Sequence, residues 1–178
     1  MGTAAHQSVL AILVPEAEHL VAPFRLKYDP SAAEGMPAHI TINYPFMPGQ
    51  DVGVEVLQKL VRTSSSMARF EYSLIKTNRF PGVLYLEPSH RTLISELIEI
   101  VAREFPESPP YGGEFEEINP HLTIAHGWTE SEVDDIADRF DAAAAGKLPI
   151  HSSVSEIWLV DNKSGKWTKR TSFPLAQS

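Results

Sequence analysis

The chain has 178 residues, 43% of them hydrophobic, and a formal net charge of −8 at pH 7; that length supports one compact domain or two joined lobes. The acidic balance argues against a surface that tracks the phosphates of duplex DNA, which needs clustered Lys and Arg, but it leaves a single phosphate within reach of local donors. No apolar run approaches the roughly 20 residues of a membrane-spanning helix, and the absence of cysteine removes disulfides, thiolate nucleophiles and Cys-ligated zinc.

The amino terminus, Met1 to His6, lacks a basic segment followed by an apolar core, so a cytoplasmic protein is expected. Ser8 to Pro15 reads as a strand by its β-branched and aliphatic content, and Glu16 to Tyr28 as a helix. A Pro, Ser and Gly-bearing loop, Asp29 to Pro37, leads into a strand from Ala38 to Tyr44. The apolar stripe of Val52, Val56, Leu57, Leu60 and Val61 predicts a helix over 52–62, and Arg69 to Thr77 alternates as a strand.

The second half repeats the order, with strand Gly82 to Glu87, helix Ser89 to Phe105, loop Pro106 to Asn119, strand Pro120 to Gly127, helix Ser131 to Ala145 and strand Val154 to Asp161. Thr129-Glu130-Ser131-Glu132 offers cap residues for the last helix. Asn162-Lys163-Ser164-Gly165 is a turn that closes a hairpin spanning 155–173. These elements predict a single α+β domain over 1–178, bilobal, with duplicated β-α-β-α-β halves at about 8–77 and 82–161 and antiparallel sheets around a central cleft. Both long loops precede the motif strands, where they are placed to shape a substrate mouth.

Within those strands, His39-Ile40-Thr41-Ile42 and His121-Leu122-Thr123-Ile124 write one pattern, His-x-Thr-x, twice and 82 residues apart. Alternation along a strand turns each His and its Thr to one face and the aliphatic residues to the other. A twofold axis between the halves makes the two imidazoles face each other across a cleft. There, one neutral ring and one protonated ring suit transfer of one proton in and another out. The Thr41 and Thr123 hydroxyls are expected to bind the phosphate oxygens. A zinc site is the competing use of paired histidines, but neither carboxylate ligands nor a His-Glu-x-x-His helix accompanies these strands. His126 lies at an odd offset from His121 and, on an uninterrupted strand, points away from the pair. Tyr44, Phe46 and Trp128 are candidates for an aromatic wall against which a base stacks; Arg25, Lys76 and Arg79 are candidate phosphate partners, and Tyr85 is a further site candidate.

The paired motifs resemble the 2H phosphoesterase superfamily, also called the 2′-5′ RNA ligase-like or LigT-like family. Pro37 to Phe46 (PAHITINYPF), Arg79 to Pro88 (RFPGVLYLEP) and Pro109 to Ala125 (PPYGGEFEEINPHLTIA) are similar to a bacterial branch of it. The resemblance implies a metal-independent, cofactor-free phosphodiesterase acting on 2′,3′-cyclic phosphates or 2′-5′ linkages, and the duplicated motif makes hydrolysis of the 2′,3′-cyclic phosphate of a nucleotide or RNA end, to the 2′-phosphate, the leading expectation. It implies His39 as proton donor to the leaving ribose oxygen, His121 as the acceptor that activates water, and Thr41 and Thr123 at the phosphate. The expected partner is a small nucleotide or RNA terminus, with no duplex DNA and no membrane, and the protein is expected to be a monomer. The alternatives are 2′-5′ ligation or 2′-5′ phosphodiester cleavage by the same residues, and a non-catalytic binder of nucleotides or RNA ends.

Overall fold

The computed structural model describes residues 6–48 and 51–177, so the reading of Met1 to Ala5 lies outside the described residues. Its elements are β1 (Ser8–Leu13), α1 (Glu18–Tyr28), α2 (Pro30–Ala33), β2 (His39–Asn43), α3 (Val54–Ser65), β3 (Phe70–Phe80), β4 (Val83–Pro88), α4 (Arg91–Glu104), β5 (Leu122–His126), α5 (Glu130–Ala144), β6 (Ile150–Val154), β7 (Glu156–Asp161) and β8 (Thr168–Pro174). β1 is apolar without alternation because both its faces are covered. α5 starts on a reciprocal capping box in which Thr129 and Glu132 each bind the other's backbone N–H, satisfying donors that helix geometry leaves unpaired. Two features differ from the sequence reading. A short helix, α2, interrupts the first long loop, and β6 is a strand separate from β7, with Ser155 alone between them.

All eight strands join one antiparallel sheet in the order β6-β3-β4-β5-β2-β1-β7-β8, so the expected antiparallel sheets are continuous. The halves of this sheet are not the halves of the chain. β2 corresponds to β5 and β1 to β4, but β3, last strand of the first sequence half, pairs with β4, while β7, last strand of the second, pairs with β1. Each half lends the other its last strand. The helices cross over as well: α1, which follows β1, packs on β5, and α4, which follows β4, packs on β2. This reciprocity binds the lobes through main-chain hydrogen bonds as well as side-chain contacts.

The sheet curls, since one residue separates β6 at one edge from β7 near the other, and a bridge joins Ala68 to Ala176 across the same gap. The main core lies between the helices and the inner-facing residues Leu10, Ile12, Ile40, Ile42, Leu122 and Ile124, all essentially inaccessible. A second, smaller cluster of Val9, Ala11, Met36 and Val160, with Tyr44 and Trp167 against it, covers part of the opposite face. Among the described residues no helix is long and apolar enough to cross a membrane.

The β3–β4 turn requires glycine. Gly82 has φ +72°, and a Cβ there would come within 3.0 Å of the Trp128 carbonyl oxygen; Gly146, at φ +74°, has open space around it. Gly146→Ala is expected to cost only left-handed strain, about 1–2 kcal/mol, and Gly82→Ala more. Urea unfolding of the two variants measures the difference, and equal losses would contradict the packing described here.

Candidate active site

β2 and β5 meet at their first residues, with Ile40 paired to Leu122. Carried one residue each way, this antiparallel register sets His39 opposite Thr123 and His121 opposite Thr41. Directly opposed side chains on one face have Cβ atoms about 4.5–5.5 Å apart and diagonal ones about 7–8 Å. The four polar side chains therefore occupy the corners of a quadrilateral, imidazoles on one diagonal and hydroxyls on the other. All four line one cleft of about 740 Å³. The Ile40–Leu122 pair beneath is where the pseudo-twofold axis passes, because those residues are themselves equivalent in the two motifs.

Both motif strands carry a bulge at the same place. On β2, Thr41 pairs with Ala11 and Asn43 with Leu10, so Ile42 is an extra residue; on β5, Thr123 pairs with Tyr85 and Ala125 with Leu84, so Ile124 is extra. A bulge shifts the alternation beyond it by one residue. Asn43 and Ala125 thereby turn into the interior, while Tyr44 and His126 turn into the cleft. His126 thus lies beside the histidine pair, contrary to the expectation from an uninterrupted strand.

The two imidazoles are held alike. Nδ1 of His39 lies 2.8 Å from the Pro37 carbonyl oxygen and Nδ1 of His121 lies 2.7 Å from that of Asn119. A carbonyl only accepts, so each Nδ1 carries the proton and donates it, which leaves each neutral ring with its lone pair on Nε2. Desolvation pushes His39 down to about 4, the Arg25 guanidinium adding to the effect and the bond to Pro37 opposing it. Desolvation also lowers His121, opposed by the bond to Asn119 and reinforced by His126. Both rings are consequently neutral at pH 7 in the free protein. The lowered affinity of both rings for protons differs from the expectation of one charged and one neutral ring in the free protein.

Aromatic rings and the two long loops complete the walls. Phe80 meets the His121 ring edge-on at 5.0 Å, and Tyr85 stacks on Phe80 at 4.4 Å. The first loop contributes Ser31, Glu34 and Met36, and the second Tyr111, Phe115 and Glu117, so both line the cleft. Asn43 donates to the Ser108 carbonyl and Tyr111 N–H to that of Tyr44, pinning the second loop across β2. The Tyr111 hydroxyl in turn reaches Thr41.

Of the other residues singled out from sequence, Tyr44 lines the cleft. Phe46 does not; it is buried in the core against Phe105. Tyr85 is buried beneath His121 with its ring 5.4 Å away and supports that ring without lining the cleft. Arg79 is on the surface, paired with Asp134, and Lys76 is exposed beside Glu87. Arg25 is buried in an ion pair with Asp29 behind His39. Trp128 packs on Tyr28 and donates to its carbonyl, outside the cleft. Phe80, Tyr111, Trp167, Glu34 and Glu117 were not singled out; for the loop residues, the position just upstream of each motif was the available signal. Among the described residues, no group of three or more His, Asp or Glu side chains is placed to hold a metal ion.

A family model described as the 2′-5′ RNA ligase superfamily matches residues 13–166. Among solved structures, E. coli LigT complexed with 3′-AMP superposes with a TM-score of 0.63 at 16% identity, covering 98% of this chain and all of that one. LigT complexed with NADP+ gives 0.59 at 17% identity with the same coverage. TT0787 of Thermus thermophilus gives 0.61 at 16%, covering 97% of this chain and 99% of its own. Such identities establish a shared fold. No curated protein matches the chain.

The geometry sets the behaviour of the free protein toward acid. The unfolded His39 takes up a proton near 6.5 and the folded one only near 4, so its contribution to stability is present above pH 6.5 and is lost as pH falls toward 4. Nitrogen-15 NMR of the free protein should show both motif rings as the Nδ1–H tautomer, neutral at pH 7. A motif ring that titrates at or above pH 6.5 without ligand would contradict the desolvation described.

Proposed function

The chain belongs to the 2′-5′ RNA ligase superfamily, and we propose that within it the protein hydrolyses the 2′,3′-cyclic phosphate of a nucleotide or RNA end, using His39 and His121 as an acid and base pair. One observation carries this reading: two imidazoles with identical Nδ1 anchors stand diagonally across the Ile40–Leu122 pair, their free Nε2 atoms served by one cleft. In this reading the cyclic phosphodiester lies between the two rings, with a hydroxyl at each remaining corner.

In the proposed reaction one neutral Nε2 takes a proton from water as the water oxygen forms its bond to phosphorus. The bond from phosphorus to the 3′ oxygen breaks, and that oxygen receives the proton held by the opposite ring, leaving a 2′-phosphate and a 3′-hydroxyl. Thr41 and Thr123 donate to the non-bridging oxygens, where negative charge builds. The family resemblance puts the acid at His39 and the base at His121. Arg25, behind His39, disfavours a charged ring there, so that assignment requires the bound phosphate anion to outweigh the guanidinium. An anion a few ångströms from a ring in a poorly solvated cleft has the correct sign and a large effect. Substrate binding and protonation of the acid are therefore one event.

Three outcomes test the proposal. His39→Ala and His121→Ala should each lower turnover of a nucleoside 2′,3′-cyclic phosphate by about 10² to 10⁴ in protein that still unfolds cooperatively; near-normal turnover by either refutes its role. The pH dependence of kcat/KM, which reports the free enzyme, should be bell-shaped with its maximum below the ordinary histidine value of 6.5, and a maximum above pH 7 would count against paired, desolvated histidines. Activity should survive EDTA, and its loss on chelation would favour a metal mechanism.

A further inference from the structure

Charge in the cleft is distributed unusually for a site that handles phosphates. Among the described residues lining it are the carboxylates of Asp29, Glu34 and Glu117 and the imidazoles of His39, His121 and His126, with no lysine or arginine. Asp29 is neutralised by Arg25, which bonds it through two nitrogens and gives a third to the Met36 carbonyl. Arg91 is held by Glu87 and Asn119. Lys166 passes Gly35 at the rim and is not part of the lining.

Glu34 and Glu117 have no cationic partner among the described residues. One is contributed by each long loop. Glu34 is close enough to Tyr44 to help burial push that hydroxyl up. Beside the carboxylates the banks are aromatic: Tyr44 and Trp167 meet edge-on at 6.2 Å, and Tyr111 and Phe115 at 5.6 Å. Aromatic surfaces accept a base or sugar without asking for charge. An anion placed beside either loop meets a carboxylate instead of a counter-ion.

Resting on the reading that this cleft processes a phosphodiester, we infer that it selects substrates whose sole anionic group is the scissile phosphate, a nucleoside 2′,3′-cyclic phosphate with a free 5′-hydroxyl, and that Glu34 and Glu117 repel ligands bearing a second phosphate. The histidine diagonal and the two threonines supply donors for one phosphate. Beyond these donors the lining offers the His126 imidazole and carboxylates but no lysine or arginine, so a 5′-phosphate or a continuing RNA strand meets no fixed cation. The cleft thereby favours a mononucleotide over an RNA end.

Calorimetry of the intact protein at low salt should find adenosine 2′-monophosphate bound at least about fivefold more tightly than adenosine 2′,5′-bisphosphate, as expected for one added like-charge contact with an exposed carboxylate. Added salt should narrow the gap, because screening relieves repulsion, and the Glu34→Gln/Glu117→Gln double variant should reduce it to less than about threefold. Equal or tighter binding of the bisphosphate, a gap unmoved in the double variant, or binding of neither ligand overturns the inference. Turnover of adenosine 2′,3′-cyclic phosphate, measured alongside, separates the two proposals: selective binding without turnover supports the charge selection and refutes the proposed hydrolysis.

Discussion

The whole site hangs on one strand contact. Ile40 and Leu122 are buried side by side on the core face, and because the two positions are equivalent in the two motifs, their pairing alone decides that the neighbouring histidines lie on a diagonal. A slip of one residue would send every motif side chain to the wrong face. The pair is locked from behind: α1 packs on β5 and α4 on β2, so each helix braces the strand of the opposite sequence half. Reciprocal lending of β3 and β7 adds hydrogen bonds from outside. Separating the two sequence halves therefore requires breaking sheet as well as core.

The same packing that positions the imidazoles also dries them. Phe80 and Tyr85 pack against the half-buried His121 ring, while the buried Arg25 guanidinium disfavours charge on His39. The consequence is a pair of neutral rings, each with its Nδ1 proton committed to the main chain. A ring in that state is a ready base and a poor acid until negative charge arrives. In the proposed reaction, desolvation would thus tie the chemistry to occupancy of the cleft, with the bound phosphate as the source of that charge.

Matching bulges at Ile42 and Ile124 give the cleft its third row. Beyond them, Tyr44 and His126 occupy equivalent positions with different chemistry, so the symmetry of the first two rows ends there. The asymmetry continues in the walls, where Trp167 flanks Tyr44, and Phe80 flanks His121. A ligand bound between the histidines therefore meets two different banks.

Several features were legible from residues alone. The duplicated His-x-Thr-x, the α+β order of elements, the cap at Thr129 and the placement of both long loops beside the site all follow from local patterns: alternation, helical spacing and turn-forming residues act over a few positions and do not need a partner strand. What the sequence did not show is non-local. Whether Val154 ends one strand or continues into the next depends on which edge each part pairs with, and whether His126 faces the cleft depends on an extra residue that exists only relative to β4. The burial of Phe46 and the capture of Arg79 by Asp134 likewise depend on elements distant in sequence. Identity and spacing of side chains thus determined the chemistry available to this protein, whereas strand pairing, which joins residues far apart in the chain, decided which of those side chains share a cleft.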